Sequence, residues 1–145
     1  METIVFSFVD ESLSAQAAEI ESISLSTAWS EKQIRESIGN ENSVYVVAVC
    51  GETVCGIGSM YCVAGEGQIM NIAVSPNFRR RGIAEGIMKF LDGEAVKRNC
   101  ENITLEVAEN NISALSLYEK CGYIAVGRRK GFYGGVDALI MEKRF

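Results

Sequence analysis

Two stretches of this sequence place chemically able side chains at spacings that matter. In the first, the apolar Ile72-Ala73-Val74 runs through Ser75-Pro76-Asn77-Phe78 into Arg79-Arg80-Arg81-Gly82, and then directly into the helical pattern that begins Ile83-Ala84-Glu85. The first backbone N–H groups of a helix have no partner inside it, and the aligned peptide dipoles place partial positive charge there, so such a junction suits a phosphate. Gly82 lacks a Cβ, and successive N–H groups around it can converge on several oxygens, which favours a pyrophosphate over a single phosphate. The three arginines reverse the charge locally in a chain of formal net charge −5, as an anion site requires. A solvated basic turn is the plainer explanation of the same run. No Gly-x-Gly-x-x-Gly follows the strand and no Gly-Lys-Ser/Thr closes the loop, which excludes the dinucleotide fingerprint and the P-loop.

The second stretch carries groups that can move protons. In Asn102-Ile103-Thr104-Leu105-Glu106-Val107 the apolar Ile103, Leu105 and Val107 share one strand face, so Glu106 points away from it. Asn111 and Tyr118 lie seven residues apart, about two helical turns, and share one side of the next helix. One crossover helix separates the Glu106 strand from the arginine turn's strand; the two strands should therefore run parallel, with their C-terminal ends at one crevice. Each residue also has a plain role: a solvated carboxylate for Glu106, a helix cap for Asn111 or, more naturally, Asn110, and a packed aromatic beside Leu115 for Tyr118.

Histidine is absent, which removes Ser-His-Asp and Cys-His catalysis and every histidine-ligated metal site. Proton transfer is left to Glu, Asp, Tyr, Lys or Cys. The five cysteines (Cys50, Cys55, Cys62, Cys100 and Cys121) form no Cys-x-x-Cys pair and read as reduced thiols, mostly small apolar fillers, with no metal site implied.

The elements that must position these groups follow from periodicity. With 145 residues, 48% hydrophobic and 23% charged, and a single proline, one domain spanning residues 1–145 is expected. Thr3 to Val9 is a strand; Asp10 to Leu25 is an amphipathic helix with Leu13, Ala17, Ile20 and Ile23 near one face; and Ser30 caps a helix over Glu31 to Ile38. Ser43 to Cys50 and Thr53 to Val63 form a hairpin through Gly51-Glu52, and Gln68 to Val74 enters the basic turn. Gly82 to Arg98 is a helix with Ile83, Ile87, Phe90, Leu91 and Val96 at helical spacings; Gly86 and Gly93 weaken it by about 1 kcal/mol each. Asn102 to Ala108 is a strand, Asn111 to Lys120 a helix, and Gly122 to Gly127 and Val136 to Lys143 the last strands. The order β-α-α-β-β-β-α-β-α-β-β predicts an α/β (α+β) fold with one mixed sheet and helices on its faces.

Arg79-x-x-Gly82-x-Ala84 resembles the acyl-CoA pyrophosphate loop, Arg/Gln-x-x-Gly-x-Gly/Ala, of the GNAT superfamily of N-acetyltransferases. Leu105-Glu106-Val107-x-x-x-Asn111-x-x-Ala114-x-x-x-Tyr118-x-x-x-Gly122-Tyr123 resembles that superfamily's second signature, at the expected distance downstream. Through Ala28-Trp29-Ser30, Asn71-Ile72-Ala73-Val74, Leu105-Glu106-Val107 and Leu117-Tyr118 the chain is most similar to the RimI group of bacterial ribosomal-protein-alanine N-acetyltransferases. The resemblance implies the GNAT fold and acetyl-CoA as co-substrate. It implies that backbone groups of Ile72, Ala73 and Val74 hold the acyl and pantetheine part, that Arg80, Arg81, Gly82, Ile83, Ala84 and Glu85 wrap the pyrophosphate, and that Asn111 adds a CoA contact. It makes Glu106 the general base, made competent by burial or a water relay, and Tyr118 the general acid. Tyr133 would close over the peptide terminus, and Trp29 would line the opposite wall or pack in the core. Ala84 stands where glycine is common and Arg79 where glutamine is frequent.

The implied acceptor is the N-terminal alanine of a small-subunit ribosomal protein. Direct nucleic-acid binding is not expected at a net charge of −5, and an acidic chain suits a basic polypeptide. No apolar run is long enough to span a membrane and Met1 to Asp10 has no signal-peptide pattern, which points to the cytoplasm. A small-molecule amine or a lysine side chain as acceptor, and a silent acyl-CoA-binding regulatory module, stay open at this point.

Overall fold

The run Val44-Tyr45-Val46-Val47-Ala48 has no polar side to turn toward water, and it folds as a strand covered on both faces, each of its residues at most 3% exposed. The structure, a computed structural model, describes residues 3–145, the side chain of Tyr133 excepted. Its elements are β1 (Ile4–Phe8), α1 (Ser14–Ser24) after a 3-10 turn at Glu11–Leu13, α2 (Glu31–Ile38), β2 (Ser43–Cys50), β3 (Thr53–Val63), β4 (Glu66–Val74), α3 (Ile83–Lys97), β5 (Asn102–Ala108), α4 (Ile112–Lys120), β6 (Ile124–Tyr133) and β7 (Val136–Arg144). They form one seven-stranded sheet in the order β1-β2-β3-β4-β5-β7-β6, antiparallel except where β4 meets β5. This is the mixed sheet the element order predicts. Alternation along the strands divides the core. Val44, Val46, Ile103, Leu105 and Val107 pack beneath α3 through Ile83, Ile87, Met88 and Leu91, whereas Tyr45, Val47 and Ile57 pack beneath α1 and α2 through Ala17, Ile20 and Ile34.

Two features of β4 set up the site. Asn71 pairs with Ser59 and Ile69 with Met60, which leaves Met70 as an extra residue, a β-bulge. Before the bulge the odd-numbered Ile69 joins the α3-side core; after it the even-numbered Ile72 and Val74 do. The second feature is a parting. Parallel pairing of β4 with β5 covers Glu66–Gln68 against Asn102–Thr104 and goes no further, so the two strands splay toward their C-terminal ends.

The sequence-derived elements match these closely except at the last hairpin. β6 was expected to end at Gly127, and it continues to Tyr133. The basic Arg128-Arg129-Lys130 is exposed because β6 is the sheet edge, where ladder pairing to β7 makes a strand without burial. Two apolar assignments also fail. Ile23 is 62% exposed because Glu21 faces inward and the residue two positions on lies about 200° around the helix. Val96 is 56% exposed, one position beyond the buried stripe Ile87, Leu91 and Ala95.

α3 sits close to the sheet because glycines leave room for it. A Cβ on Gly56 would lie 2.8 Å from Ile83 Cγ2, one on Gly58 would overlap Ile87, and one on Gly86 would overlap the Phe6 ring. Gly93 has nothing within 4 Å. The two helical glycines therefore answer alanine with opposite signs. Gly93→Ala is expected to stabilise by about 1 kcal/mol through helix propensity, and Gly86→Ala to destabilise by about 1–3 kcal/mol through overpacking, read as shifts of the urea midpoint at constant slope.

Candidate functional site

The basic turn is built for close approach. Arg80 (φ 64°) and Gly82 (φ 75°) both adopt the left-handed conformation, on either side of Arg81. Gly82 is the N-cap of α3 and contributes no side-chain cap. The first bond of the helix is Gly86 N–H to Gly82 C=O at 3.0 Å, so the N–H groups of Ile83, Ala84 and Glu85 have no acceptor inside the helix. A Cβ on Gly82 would touch nothing within 4 Å; the glycine meets a conformational need and leaves the approach to these donors open.

These donors face a cleft of about 520 Å³ that runs between α3 and α4 to the parting of β4 and β5. Ile72, Ala73 and Val74 line its sheet end, Arg79, Arg80 and Glu85 its helix end, and Asn111 and Tyr118 its α4 wall. Asn111 caps α4, its Oδ1 accepting the Ala114 N–H at 3.3 Å, so the cap falls on Asn111 and not on Asn110. Lys120 reaches across from α4 to Glu85 of α3 at 3.1 Å. Tyr118 lies against the α3-side core with its ring 6.3 Å from that of Tyr123. Uncapped donors, two arginines and a lysine give this cleft the chemistry to hold a multiply charged anion.

Glu106 stands on the other face. Its neighbours Leu105 and Val107 face α3, so its carboxylate is directed to the α1 and α2 side, where its side chain is 22% exposed and its Oε1 receives Arg129 Nε at 2.9 Å. Two recesses open on that face. One is lined by Trp29, Tyr61, Met70 and Glu36, the other by Tyr61, Gln68, Glu66 and Thr104. The two residues able to move protons thus lie on opposite sides of the sheet, both beside the parting.

The Acetyltransferase (GNAT) family matches residues 10–123. The chain belongs to the GNAT acetyltransferase family. The [ribosomal protein bS18]-alanine N-acetyltransferase of Escherichia coli (strain K12) is 30% identical over 117 residues, 78% of each chain. The crystal structure of the ribosomal-protein-S18-alanine N-acetyltransferase from Escherichia coli superposes with a TM-score of 0.88 at 26% identity, covering 98% of this chain and 94% of that one. A chain in the crystal structure of the NatC complex bound to Gag peptide and CoA superposes at 0.85 with 25% identity, covering 100% and 99%. This GNAT chain is an acetyl-CoA-dependent N-acetyltransferase.

Of the residues singled out in the sequence of this GNAT enzyme, the cleft gathers Ile72, Ala73, Val74, Arg80, Gly82, Ile83, Ala84, Glu85, Asn111 and Tyr118. Arg81 is not in its lining; its guanidinium lies 5.1 Å over the Phe78 ring. Glu106 is outside it, on the opposite face, and the side chain of Tyr133 lies outside what the structure describes. Trp29 packs tilted against Tyr45 and Tyr61, with ring centroids 6.0 and 6.1 Å away, and lines one of the recesses on the Glu106 side of the sheet. Phe78, Leu25, Leu117 and Lys120 also line the cleft and were not anticipated. Leu117 sits between Ala114 and Tyr118 on the α4 stripe and was readable from helical spacing; Leu25 arrives from the end of α1 and carries no local signal.

A further polar group went unseen. Glu21, fully buried, accepts hydrogen bonds from the Tyr45 hydroxyl, from Trp29 N–H at 2.8 Å and from Asn71 Nδ2 at 2.7 Å. It ties the α1–α2 connection to β4 next to the bulge. Burial pushes the Glu21 carboxyl above its usual range, and the three donors only partly offset this. The folded state therefore binds the proton more tightly than the unfolded chain does. Glu21's contribution to stability is fully present below the ordinary value of 4.5 and is lost as pH rises from there through the raised folded-state value. Glu21→Gln is expected to flatten that decline in a series of melting temperatures against pH.

Proposed function

We propose that the chain, acting as one domain, moves the acetyl group of acetyl-CoA by direct attack to the α-amine of a protein N-terminus. The favoured acceptor is a terminal alanine like that of the ribosomal protein for which its relatives are named. The observation that carries this reading is the placement of Glu106 and Tyr118 on opposite faces of the sheet beside one strand parting, which is continuous with an uncapped basic helix N-terminus.

The α3 N–H groups, with Arg79 and Arg80, would hold the pyrophosphate, and the unpaired edge of β4 at Ile72, Ala73 and Val74 would align the acyl arm in the parting. Asn111 and Tyr118 would flank it from α4. An α-amine has a pKa near 8 and is mostly protonated at neutral pH, whereas only its free lone pair attacks a thioester carbonyl. Glu106, on the recessed face, takes that proton directly or through a water. Backbone N–H of β4 near Ile72 or Ala73 donates to the carbonyl oxygen as charge builds on it. As the C–S bond breaks, Tyr118, on the cleft face, gives its proton to the departing sulfur, while the attacking nitrogen sheds its second proton to solvent and solvent reprotonates Tyr118. No covalent enzyme intermediate is needed, and with no histidine in the chain a cysteine nucleophile would lack its usual base.

The acidic chain, at −5, and Glu36 and Glu66 at the recesses suit a basic polypeptide. No helix among the described residues is long and apolar enough to cross a membrane; the cytoplasm, where ribosomal proteins are made, is the expected place of action.

Glu106→Gln and Tyr118→Phe are each expected to lower kcat by about 10²-fold or more with little change in acetyl-CoA affinity. Unchanged rates in both variants would reject the assigned roles. An Ala-initiated basic peptide should be acetylated, and its N-blocked, lysine-containing counterpart should not; equal turnover of the two rejects N-terminal specificity and favours a lysine acceptor.

A further inference from the structure

Two adjacent arginines on β6 have different partners. Arg128 holds the hairpin together: its guanidinium engages Glu109 and, at 3.0 Å, Asp137, whose other oxygen accepts the Gly131 N–H at 2.9 Å. Arg129 instead reaches over β7 to Glu106. The path is open because Arg129 pairs with Ala138 and Ala138 with Ala108, while Gly127 stands in the neighbouring row that leads through Ile140 to Glu106. Two alanines and a glycine leave a shallow track on that face for a long side chain. Arg129 touches the carboxylate through a single nitrogen on a single oxygen, Nε to Oε1 at 2.9 Å, with its own side chain 58% exposed. Exposed ion pairs of this kind are weak. The guanidinium has a second station in the Phe132 ring, 5.6 Å away on its own strand.

We propose that Arg129 is the resting counter-ion of Glu106, and that the acceptor's protonated amine displaces it on binding. The inference rests on the reading above, in which the acceptor amine comes to Glu106. A free N-terminus arrives carrying one positive charge, and two cations on one carboxylate repel each other. The guanidinium is the one free to leave, because Phe132 can still hold it and Arg128 keeps the hairpin in place without it. Exchange of one cation for another leaves the net charge at the Glu106 carboxylate the same before and after the acceptor binds. It also makes Arg129 a selectivity element, since a chain whose N-terminus carries no charge cannot drive the exchange.

A synthetic Ala-initiated peptide rich in lysine and arginine, and the same peptide with an acetylated N-terminus, are titrated into the CoA-loaded enzyme. The proteins are the parent, Arg129→Gln, Arg129→Lys, Glu106→Gln and the double variant Glu106→Gln/Arg129→Gln. If Arg129 leaves the carboxylate free for about a tenth to a third of the time, Arg129→Gln tightens the free-amino peptide by the inverse, about 3- to 10-fold. The acetylated peptide should bind the parent and Arg129→Gln alike, Arg129→Lys should restore the parent affinity, and in the Glu106→Gln background the arginine substitution should have no effect. Weaker or unchanged binding of the free-amino peptide to Arg129→Gln, or an equal shift for both peptides, overturns the proposal, as does a free-amino peptide that binds neither protein. Turnover separates this from the proposed mechanism: if Arg129→Gln shows the selective tightening while Glu106→Gln keeps the parent kcat, the ion exchange stands and the general-base role falls. Loss of kcat in Glu106→Gln with no selective tightening in Arg129→Gln gives the reverse.

Discussion

β4 and β5 share three residue pairs and then separate, and the rest of the site depends on that separation. A parallel pair in the middle of a sheet normally continues, because each backbone N–H and C=O left unpaired in a protected place costs free energy. Here the pairing stops after Gln68 and Thr104, and what lies beyond is a cleft lined by the β4 residues Ile72, Ala73 and Val74. A split sheet needs other elements to hold its halves. On one side β5 is paired along its whole length with β7; on the other, β4 is paired with β3 on both sides of the Met70 bulge. The bulge is part of the device, since it changes which side chains of β4 face α3 just where the cleft begins. It sends Asn71 to Glu21 on one side and Ile72 to the α3-side core on the other.

The helix that serves the opening is fixed by volume. Gly56, Gly58 and Gly86 are places where an added Cβ would collide across the contact between α3 and the strands beneath it, and bulk at any of them would press the helix away from the sheet. Electrostatics then acts at a position already set by packing. The N-terminal donors carry no side-chain cap, the acidic Glu85 of the first turn is held by Lys120 of α4, and the arginines lie in a turn with left-handed residues at Arg80 and Gly82. Lacing α4 to α3 through Glu85 also places the Tyr118 wall at a defined distance from the donors.

What could be read from the sequence depended on whether the deciding interaction was local. The Ser30 cap of α2, the strand β2 and the glycine of the basic turn carry their signals within a few residues and are legible in the sequence. β6 was cut short because the signal for its second half is pairing to β7, which leaves no hydrophobic alternation in an exposed edge. Asn111, and not Asn110, is the cap because the helix starts one residue later than the asparagine pair suggests. Arg81, among the pyrophosphate residues that the resemblance implies, stands between two left-handed residues with its guanidinium over Phe78 and outside the cleft lining. Glu21 carries no local signal of its buried position. Its partners Tyr45 and Asn71 lie 24 and 50 residues away in sequence, and only the folded sheet brings them together.

The division of the site between two faces has a consequence for charge. The cleft face gathers Arg79, Arg80 and Lys120, with Glu85 the one acid among its lining residues; the other face has Glu36, Glu66 and Glu106 at or near its recesses, with Arg129 resting on Glu106. Under the proposed reaction an anionic donor and a cationic acceptor would each meet the face of opposite sign, and would meet each other only where the strands part. A sheet without the parting would keep them about one sheet thickness from each other, and a site on a single face would have to balance both charges in one pocket. Separating the faces also separates the protons. The one taken from the amine leaves on the Glu106 side and the one given to sulfur enters on the Tyr118 side, so neither group must change role within a turnover. That is a workable arrangement for a chain with no histidine, the side chain that most readily serves as both acid and base near neutral pH.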